Sequence, residues 1–211
     1  MDVVEQTIET YDKIASRYCS KTREPKIEEW KEGYIKKFLS YFPRKHPLIL
    51  NVGCGDGRDN MHIEKSGAKA IGIDLSKGML REAKKLYAQG DFRIMDMRHL
   101  EFNDDSFDGI WASGSIYHVP KSQVSQVIQE FRRVHKIDGV ASLNFKLGTG
   151  EGMEANPKSY GGYPRYFAYY SKEEMKALFD THDFKELESC MYPEEIYKDR
   201  IQQMWFRLLD K

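Results

Sequence analysis

Three glycines at alternate positions form the segment of this sequence best suited to holding a ligand. Gly53, Gly55 and Gly57 lie within 51–57, directly after the apolar run 48–52. Without Cβ atoms, such a segment can turn sharply and bring backbone groups against a nucleotide-type ligand. A dinucleotide-binding loop has the spacing Gly-x-Gly-x-x-Gly, whereas here the third glycine comes one position earlier. NAD-dependent oxidoreduction is therefore a disfavoured alternative.

Two carboxylates follow the next apolar runs along the chain. Asp74 follows the run 68–73, and Asp96 follows the run 92–95. Asp74 is suited to accept hydrogen bonds from both hydroxyls of a ribose, although it could instead cap the following helix, as Ser76 could. The alternative for Asp96 is a solvated turn. Because ligands of parallel sheets bind at the carboxyl ends of the strands, these segments together predict one site.

These segments resemble the Gly-x-Gly-x-Gly loop and acidic strand ends of class I S-adenosylmethionine-dependent methyltransferases. The resemblance covers about residues 45–147 and, more loosely, 166–184, and points to a small methyltransferase-11-like member. It implies S-adenosylmethionine as the cofactor. Asn51 departs from the family pattern, in which an acid is more common. The implied cofactor-binding residues are Tyr18, Asn51, Gly53, Cys54, Gly55, Gly57, Asp74, Leu75, Met79, Asp96, Met97 and Ser113.

The residues that would contact the methyl acceptor are predicted from the same resemblance and from an aromatic cluster. Tyr117 and His118 would lie beside the transferred methyl group, and His118 is the candidate general base because imidazole titrates near neutral pH. Its alternative role is structural. Tyr166 and Tyr170 are predicted to bind the substrate, with ordinary strand packing as the alternative. For Tyr18, packing in the core is the alternative to covering the cofactor.

The elements that position these residues follow from hydrophobic periodicity. Apolar runs from 48–52 to 140–145 alternate with helix-like stretches, which predicts a Rossmann-like α/β fold with a doubly wound, seven-stranded, mostly parallel sheet. We expect a single domain over 1–211. Its N-terminal helical extension, 1–43, is expected to cover the cofactor site, and the glycine-rich stretch 148–165 to form a lid loop.

Composition narrows the range of partners. Lys plus Arg and Asp plus Glu each number 33, which argues against a dedicated nucleic-acid surface, although the N-terminal stretch through residues 20–23 loosely resembles some tRNA-modifying methyltransferases. A small-molecule acceptor is preferred. Three scattered cysteines predict neither a disulfide framework nor a metal site, and no apolar run approaches the ~20 residues that span a bilayer. We therefore expect a cytoplasmic monomer or homodimer without a membrane partner. A non-catalytic S-adenosylmethionine-binding module remains the alternative from another functional class.

Overall fold

The computed structural model describes residues 2–155, 160–194 and 200–210. Its α-helices are α1 (Val3–Thr22), α2 (Pro25–Leu39), α3 (Arg58–Lys65), α4 (Lys77–Leu86), α5 (Lys121–Val134) and α6 (Lys172–Asp180). Its strands are β1 (Leu48–Val52), β2 (Lys69–Asp74), β3 (Asp91–Ile94), β4 (Phe107–Ala112), β5 (His135–Lys146), β6 (Glu151–Glu154), β7 (Arg165–Ala168), β8 (Phe184–Met191) and β9 (Ile201–Leu208). Short 3₁₀ turns occupy Ile116–His118 and Tyr160–Gly162.

Seven strands form one sheet in the order β3-β2-β1-β4-β5-β9-β8. Strands β1 to β5 pair in parallel, and β9 pairs antiparallel with both β5 and β8. The prediction of a seven-stranded, mostly parallel sheet is confirmed. The chain leaves β1 toward β2 and β3 on one side and returns to β4 and β5 on the other. This reversal of strand order opens a crevice at the carboxyl ends of β1 and β4.

The central strands are apolar because helices cover both faces of the sheet. All six residues of β4 are buried. Helix α5 contributes an apolar stripe at three- and four-residue spacing that includes Val124, Val127, Ile128 and Phe131. This packing fixes the strand ends from which the site residues project.

Helix α1 is anchored over α4 by a polar contact and a glycine. Asp12 accepts hydrogen bonds from Ser76 Oγ at 2.7 Å and from the backbone N–H of Gly78 at 2.6 Å. A Cβ at Gly78 would lie 2.8 Å from the Asp12 Cα, so only glycine permits this approach. The first helix is thereby held against the end of β2.

Part of the stretch 148–165, which is expected to form a lid loop, is a strand. Glu151–Glu154 forms β6, which pairs antiparallel with Arg165–Ala168. The strand was not recognised because its side chains are exposed or half-buried and its sequence carries no apolar alternation. Residues 156–159 lie outside the described residues.

Strand β5 begins earlier than the apolar run 140–145 predicts. It starts at His135, directly after α5 ends at Val134. Asp138 has a φ of +64°, and the pairing with β4 shifts between Phe107 and Gly109. This irregularity explains why the apolar run 140–145 does not mark the start of β5. Within 2–155, 160–194 and 200–210, no helix is long and apolar enough to cross a membrane.

Candidate active site

A cavity of about 430 Å³ lies at the carboxyl ends of the parallel strands, beneath α1. Its volume falls within the range of small-molecule sites. Sequence-predicted residues that line it are Tyr18, Gly53, Cys54, Gly55, Asp74, Leu75, Met79, Asp96, Met97, Ser113, Tyr117 and His118. The cavity thus brings together segments that are far apart in the sequence.

The glycine-rich segment after β1 is held in a conformation that favours glycine. Gly53 and Gly55 have φ values of +66° and +56°. A Cβ at Gly53 would lie 2.3 Å from the Cβ of Ser115, whose Oγ donates to the carbonyl of Val52 at 2.7 Å. Gly53 is therefore required both by its backbone conformation and by the close approach of the segment after β4.

Asp74 lies at the end of β2 with its carboxylate facing the cavity and the glycine-rich segment. It accepts backbone N–H bonds from Gly55 at 2.9 Å and from Ser76 at 2.8 Å. Burial raises the pKa of Asp74, while these two hydrogen bonds act in the opposite direction. Ser76, not Asp74, caps α4, because its hydroxyl accepts from the N–H of Met79. The helix-capping alternative for Asp74 is thereby removed.

Asp96, after β3, is held by Arg98. Arg98 donates to both carboxylate oxygens of Asp96 at 2.6–3.1 Å and to Gln123 at 2.6 Å. Burial acts to raise the pKa of Asp96, but the hydrogen bonds from Arg98 outweigh it and the pKa is lowered. Asp96 therefore stays ionised, with a fixed orientation at the β2–β3 side of the cavity.

A buried arginine ties the glycine-rich segment to the N-terminal helices. Arg58 donates to both oxygens of Asp56 at 2.8–2.9 Å, to the carbonyl and hydroxyl of Thr22, and to Glu28 at 2.9 Å. Asp56 also pairs with Arg23. The junction of α1 and α2 is thus fastened to the segment that follows β1.

His118 belongs to a chain of hydrogen bonds at the β4–β7 side of the cavity. Its Nδ1 lies 2.6 Å from the carbonyl of Tyr166, which can only accept, so Nδ1 carries the proton. Its Nε2 therefore accepts from the hydroxyl of Tyr11 at 2.9 Å, and Arg165 donates to that hydroxyl at 3.2 Å. Burial lowers the pKa of His118 to about 3. The imidazole is neutral and a weak base.

Two cations flank the ring of Phe167 at the same side. Lys146 Nζ lies 4.1 Å from the ring centroid and the Arg165 guanidinium carbon 5.2 Å from it. All three residues line the cavity, Lys146 at the end of β5 and the other two on β7. This side therefore places two cationic side chains next to an aromatic face.

A buried polar network fixes the segment after β4. Asn144 accepts from the N–H of Gly114 at 2.9 Å and donates to Ser113 Oγ at 3.0 Å and to the hydroxyl of Tyr192 at 2.7 Å. Tyr192 in turn donates to Gln203 at 2.8 Å. The network sets the position of Ser113 and Gly114 at the cavity wall.

Comparison with known protein families identifies the type of domain that the central part of this chain forms. Residues 49–139 match the family model described as a methyltransferase domain. They contain the glycine-rich segment, Asp74 and Asp96, all placed around one cavity. Residues 49–139 therefore form a methyltransferase domain, which is similar to those of the class I S-adenosylmethionine-dependent methyltransferases.

The chain is similar to curated methyltransferases. It is 36% identical over 98 residues to the methyltransferase GfsG of Streptomyces halstedii, covering 43% of this chain and 34% of that protein. It is 29% identical over 147 residues to the demethylmenaquinone methyltransferase of Symbiobacterium thermophilum, covering 62% of this chain and 55% of that protein. The chain thus spans about a third to about half of these relatives.

A solved structure with bound ligands shares the fold. The 1,6-didemethyltoxoflavin-N1-methyltransferase of Burkholderia thailandensis, with bound 1,6-didemethyltoxoflavin and S-adenosylhomocysteine, matches with a TM-score of 0.73. It is 17% identical and covers 96% of this chain and 88% of that chain. At this identity the match shows the shared fold.

The residues of the methyltransferase domain fit the family's cofactor, S-adenosylmethionine. Gly53 and Gly55 line the cavity with bare backbone, and a Cβ at Gly55 would lie 3.3 Å from the Met79 methyl. Asp74 presents a carboxylate suited to ribose hydroxyls. Apolar side chains for a nucleobase line the β2–β3 side of the cavity: Leu75, Met79, Met95 and Met97.

Four sequence-predicted residues lie outside the cavity lining. The amide of Asn51 is buried and donates to Asn60 at 2.7 Å. Gly57 is the N-cap residue of α3, and its missing Cβ makes room for the ring of Phe92. The contacts of these two residues are with the protein interior, and their part in cofactor binding stays a prediction.

The two tyrosines predicted to bind the substrate face the core. The hydroxyl of Tyr166 donates to Glu151, and only 4% of Tyr166 is exposed. Tyr170 is fully buried, and Lys121 lies 4.6 Å from its ring centroid. Strand β7 instead directs Arg165 and Phe167, on its other face, into the cavity, because successive side chains of a strand alternate.

Several cavity residues were missed from sequence. Tyr11 lies two helical turns before Tyr18 on α1, and that spacing could have identified it. Arg98 lies two residues after Asp96, so this pair could also have been identified from the sequence. No local sequence pattern identifies Asn144 and Lys146 as site residues. They reach the cavity only because β5 ends beside β4.

The stability of the fold should depend on pH through His118. Below pH 6.5 the unfolded chain protonates this residue, whereas the folded chain resists protonation down to about pH 3. The free energy of unfolding should therefore fall by about 1–2 kcal/mol between about pH 7 and pH 5, since the ring keeps some contact with the cavity. Urea unfolding of the wild type and of His118→Gln at both pH values measures this loss.

The glutamine variant should lose less stability on acidification than the wild type. His99→Gln is the matched control, because His99 is exposed. Identical losses in the wild type and His118→Gln would show that His118 is not held neutral.

Proposed function

We propose that this protein transfers a methyl group from S-adenosylmethionine to a small-molecule acceptor. The observation that carries the proposal is the joining of the glycine-rich segment, the Asp74 carboxylate and an aromatic, cationic side in one cavity. The family assignment of residues 49–139 supports the cofactor. The cavity beneath α1 and β7 has the size of a site for small ligands.

The chain's own residues would bind the cofactor at the β1–β3 side of the cavity. Asp74 would accept hydrogen bonds from the ribose hydroxyls, and Asp96 from the adenine amino group. Tyr18, from α1, lines the cavity opposite the strand ends. S-adenosylmethionine supplies an activated methyl group on a positively charged sulfur. The protein's contribution is then to align the acceptor and to exclude water.

We assign His118 a positioning role in place of the general-base role. Its Nε2 already accepts from Tyr11, and its lowered pKa makes it a poor proton acceptor at neutral pH. His118 instead directs the hydroxyl of Tyr11, which also receives a hydrogen bond from Arg165. An acceptor atom that is already nucleophilic, such as a deprotonated oxygen or an unprotonated nitrogen, would need no base at this position.

The proposal is tested by calorimetry followed by an acceptor screen. We expect the purified protein to bind S-adenosylmethionine and to release S-adenosylhomocysteine with at least one small-molecule acceptor. Binding of the cofactor without product release across a broad panel would favour a non-catalytic binding module. Transfer to tRNA, with none to small molecules, would overturn the acceptor class.

A further inference from the structure

We propose that the methyl acceptor is an uncharged nitrogen that carries an N–H, and that this N–H donates to the hydroxyl oxygen of Tyr11. The inference rests on the proposed function and names the chemical class of its acceptor. Tyr11 acts as a specificity-determining residue, and His118 as a positioning residue that acts through it.

The direction of the hydrogen bonds around Tyr11 is fixed by one backbone carbonyl. The carbonyl of Tyr166 can only accept, so the Nδ1 of His118, 2.6 Å away, carries the imidazole proton. The Nε2 of the neutral ring is then an acceptor, and the hydroxyl of Tyr11 donates to it at 2.9 Å. Arg165, whose side chain has only donors, donates to the same hydroxyl oxygen at 3.2 Å. The hydroxyl proton of Tyr11 is thereby directed away from a ligand.

The hydroxyl of Tyr11 therefore meets a ligand as an acceptor. Within residues 2–155, 160–194 and 200–210, its hydrogen bonds are those with His118 and Arg165. A hydroxyl oxygen has two lone pairs, so it can accept a second hydrogen bond beside the one from Arg165. Tyr11 lines the cavity, which gives a bound molecule access to it. A group that donates a hydrogen bond fits this position, and a group that only accepts does not.

Tyr11 lies between the two sides of the cavity. Its ring packs edge-on against Tyr18, with centroids 5.5 Å apart, and against His118, with centroids 5.4 Å apart. Burial raises the pKa of Tyr11, and the charge of Asp74 adds a smaller upward effect, so the hydroxyl keeps its proton at neutral pH. Asp12 anchors this part of α1 to the start of α4. The hydroxyl is thus held in a fixed place beside the proposed cofactor side.

This polarity separates a nitrogen acceptor from an oxyanion. An uncharged nitrogen can direct its lone pair at the methyl carbon while one of its N–H bonds donates to Tyr11. As the nitrogen–carbon bond forms, the carbon–sulfur bond breaks with its electron pair left on sulfur, and the nitrogen becomes positively charged. Its N–H then becomes a stronger donor, so the hydrogen bond to Tyr11 strengthens toward the transition state.

The same step needs no base in the cavity. The proton stays on the nitrogen and leaves with the methylated product, which loses it to solvent. An oxyanion has no proton to donate and would face the lone pair of the Tyr11 hydroxyl. The arrangement therefore agrees with an imidazole at His118 that orients Tyr11 and takes up no proton.

The tautomer of His118 tests the direction of the hydrogen bonds in the wild-type protein. With ¹⁵N-labelled histidine, long-range proton–nitrogen correlation spectra at pH 7 distinguish an imidazole protonated at Nδ1 from one protonated at Nε2. His118→Gln identifies the signals of this residue. We expect the form protonated at Nδ1. The form protonated at Nε2 would turn the hydroxyl of Tyr11 into a donor toward the cavity and would overturn the proposal.

Matched probes test the acceptor class by binding. Aniline is uncharged at neutral pH and carries N–H donors, whereas N,N-dimethylaniline has the same ring and nitrogen without a donor. Each is titrated by calorimetry into the whole chain saturated with S-adenosylhomocysteine. Tyr11→Phe keeps the ring and should lower the affinity for aniline about fivefold to tenfold, while the affinity for N,N-dimethylaniline stays unchanged.

A tyrosine outside the cavity provides the control. The hydroxyl of Tyr41 donates to Glu188, and Tyr41→Phe should leave the affinities for both probes unchanged. If S-adenosylhomocysteine itself fails to bind, the proposed function fails. If it binds but aniline does not, or if Tyr11→Phe changes the two affinities equally, the nitrogen acceptor is wrong and methyl transfer stands. The tautomer measurement decides the proposal if Tyr11→Phe does not fold.

Discussion

Replacing Asp74 with alanine is expected to weaken binding of S-adenosylmethionine about a hundredfold or more. The carboxylate would accept two hydrogen bonds from the ribose, and hydrogen bonds to a charged group contribute about 1.5–3 kcal/mol each. The same side chain accepts from the N–H of Gly55 at 2.9 Å, so its loss also releases the glycine-rich segment. Calorimetric titration of the wild type and the variant measures the change.

The control for Asp74→Ala is a carboxylate elsewhere on the same sheet. Asp91→Ala removes an exposed acid at the start of β3 and should leave cofactor affinity unchanged. Asp74→Asn keeps the side-chain shape, which separates the loss of charge from the loss of packing. Should Asp74→Ala bind S-adenosylmethionine as tightly as the wild type, the placement of the ribose at Asp74 is wrong.

Substituting Gly53 with alanine should destabilise the fold by about 2–4 kcal/mol and sharply reduce cofactor binding. The added Cβ would lie 2.3 Å from the Cβ of Ser115, and the φ of +66° is unfavourable for any residue with a Cβ. Relief of the clash must move the segments after β1 and β4, both of which line the cavity. Denaturant unfolding and calorimetry measure the two effects.

Matched glycine and serine variants show whether the close approach is the cause. Gly33→Ala, in the exposed interior of α2 with no atom within 4 Å of its new Cβ, should stabilise the protein by about 0.5–1 kcal/mol. Adding Ser115→Gly to Gly53→Ala removes the clashing Cβ and should restore part of the stability. If the double variant is no more stable than Gly53→Ala, backbone strain alone accounts for the loss of stability.

The sheet and the β1–β3 side of the cavity could be predicted from the sequence. Continuous apolar runs locate the buried strands, and the residues that end them, Gly53, Asp74 and Asp96, must meet at one edge of a parallel sheet. The positions of these residues therefore follow from local pattern and topology together. Asn51 shows the limit of this reasoning, because its partner is Asn60 on the following helix.

The acceptor side could not be predicted in the same way. Residues 165–170 identify an aromatic segment, but a one-residue shift in strand register decides whether Tyr166 or Phe167 faces the cavity. The register is set by pairing with β6, whose exposed sequence gives no periodic signal. The meeting of Lys146 and Arg165 depends on that same pairing and on the end of β5. The pKa of His118 depends on burial that local sequence does not reveal.

The central claim is that the cavity between the strand ends and α1 binds S-adenosylmethionine. Parallel calorimetric titrations of the wild-type protein with S-adenosylmethionine and with NAD test it most directly. We expect saturable binding of one S-adenosylmethionine per chain and no binding of NAD. No heat of binding with S-adenosylmethionine, or saturable binding of NAD in its place, would contradict it.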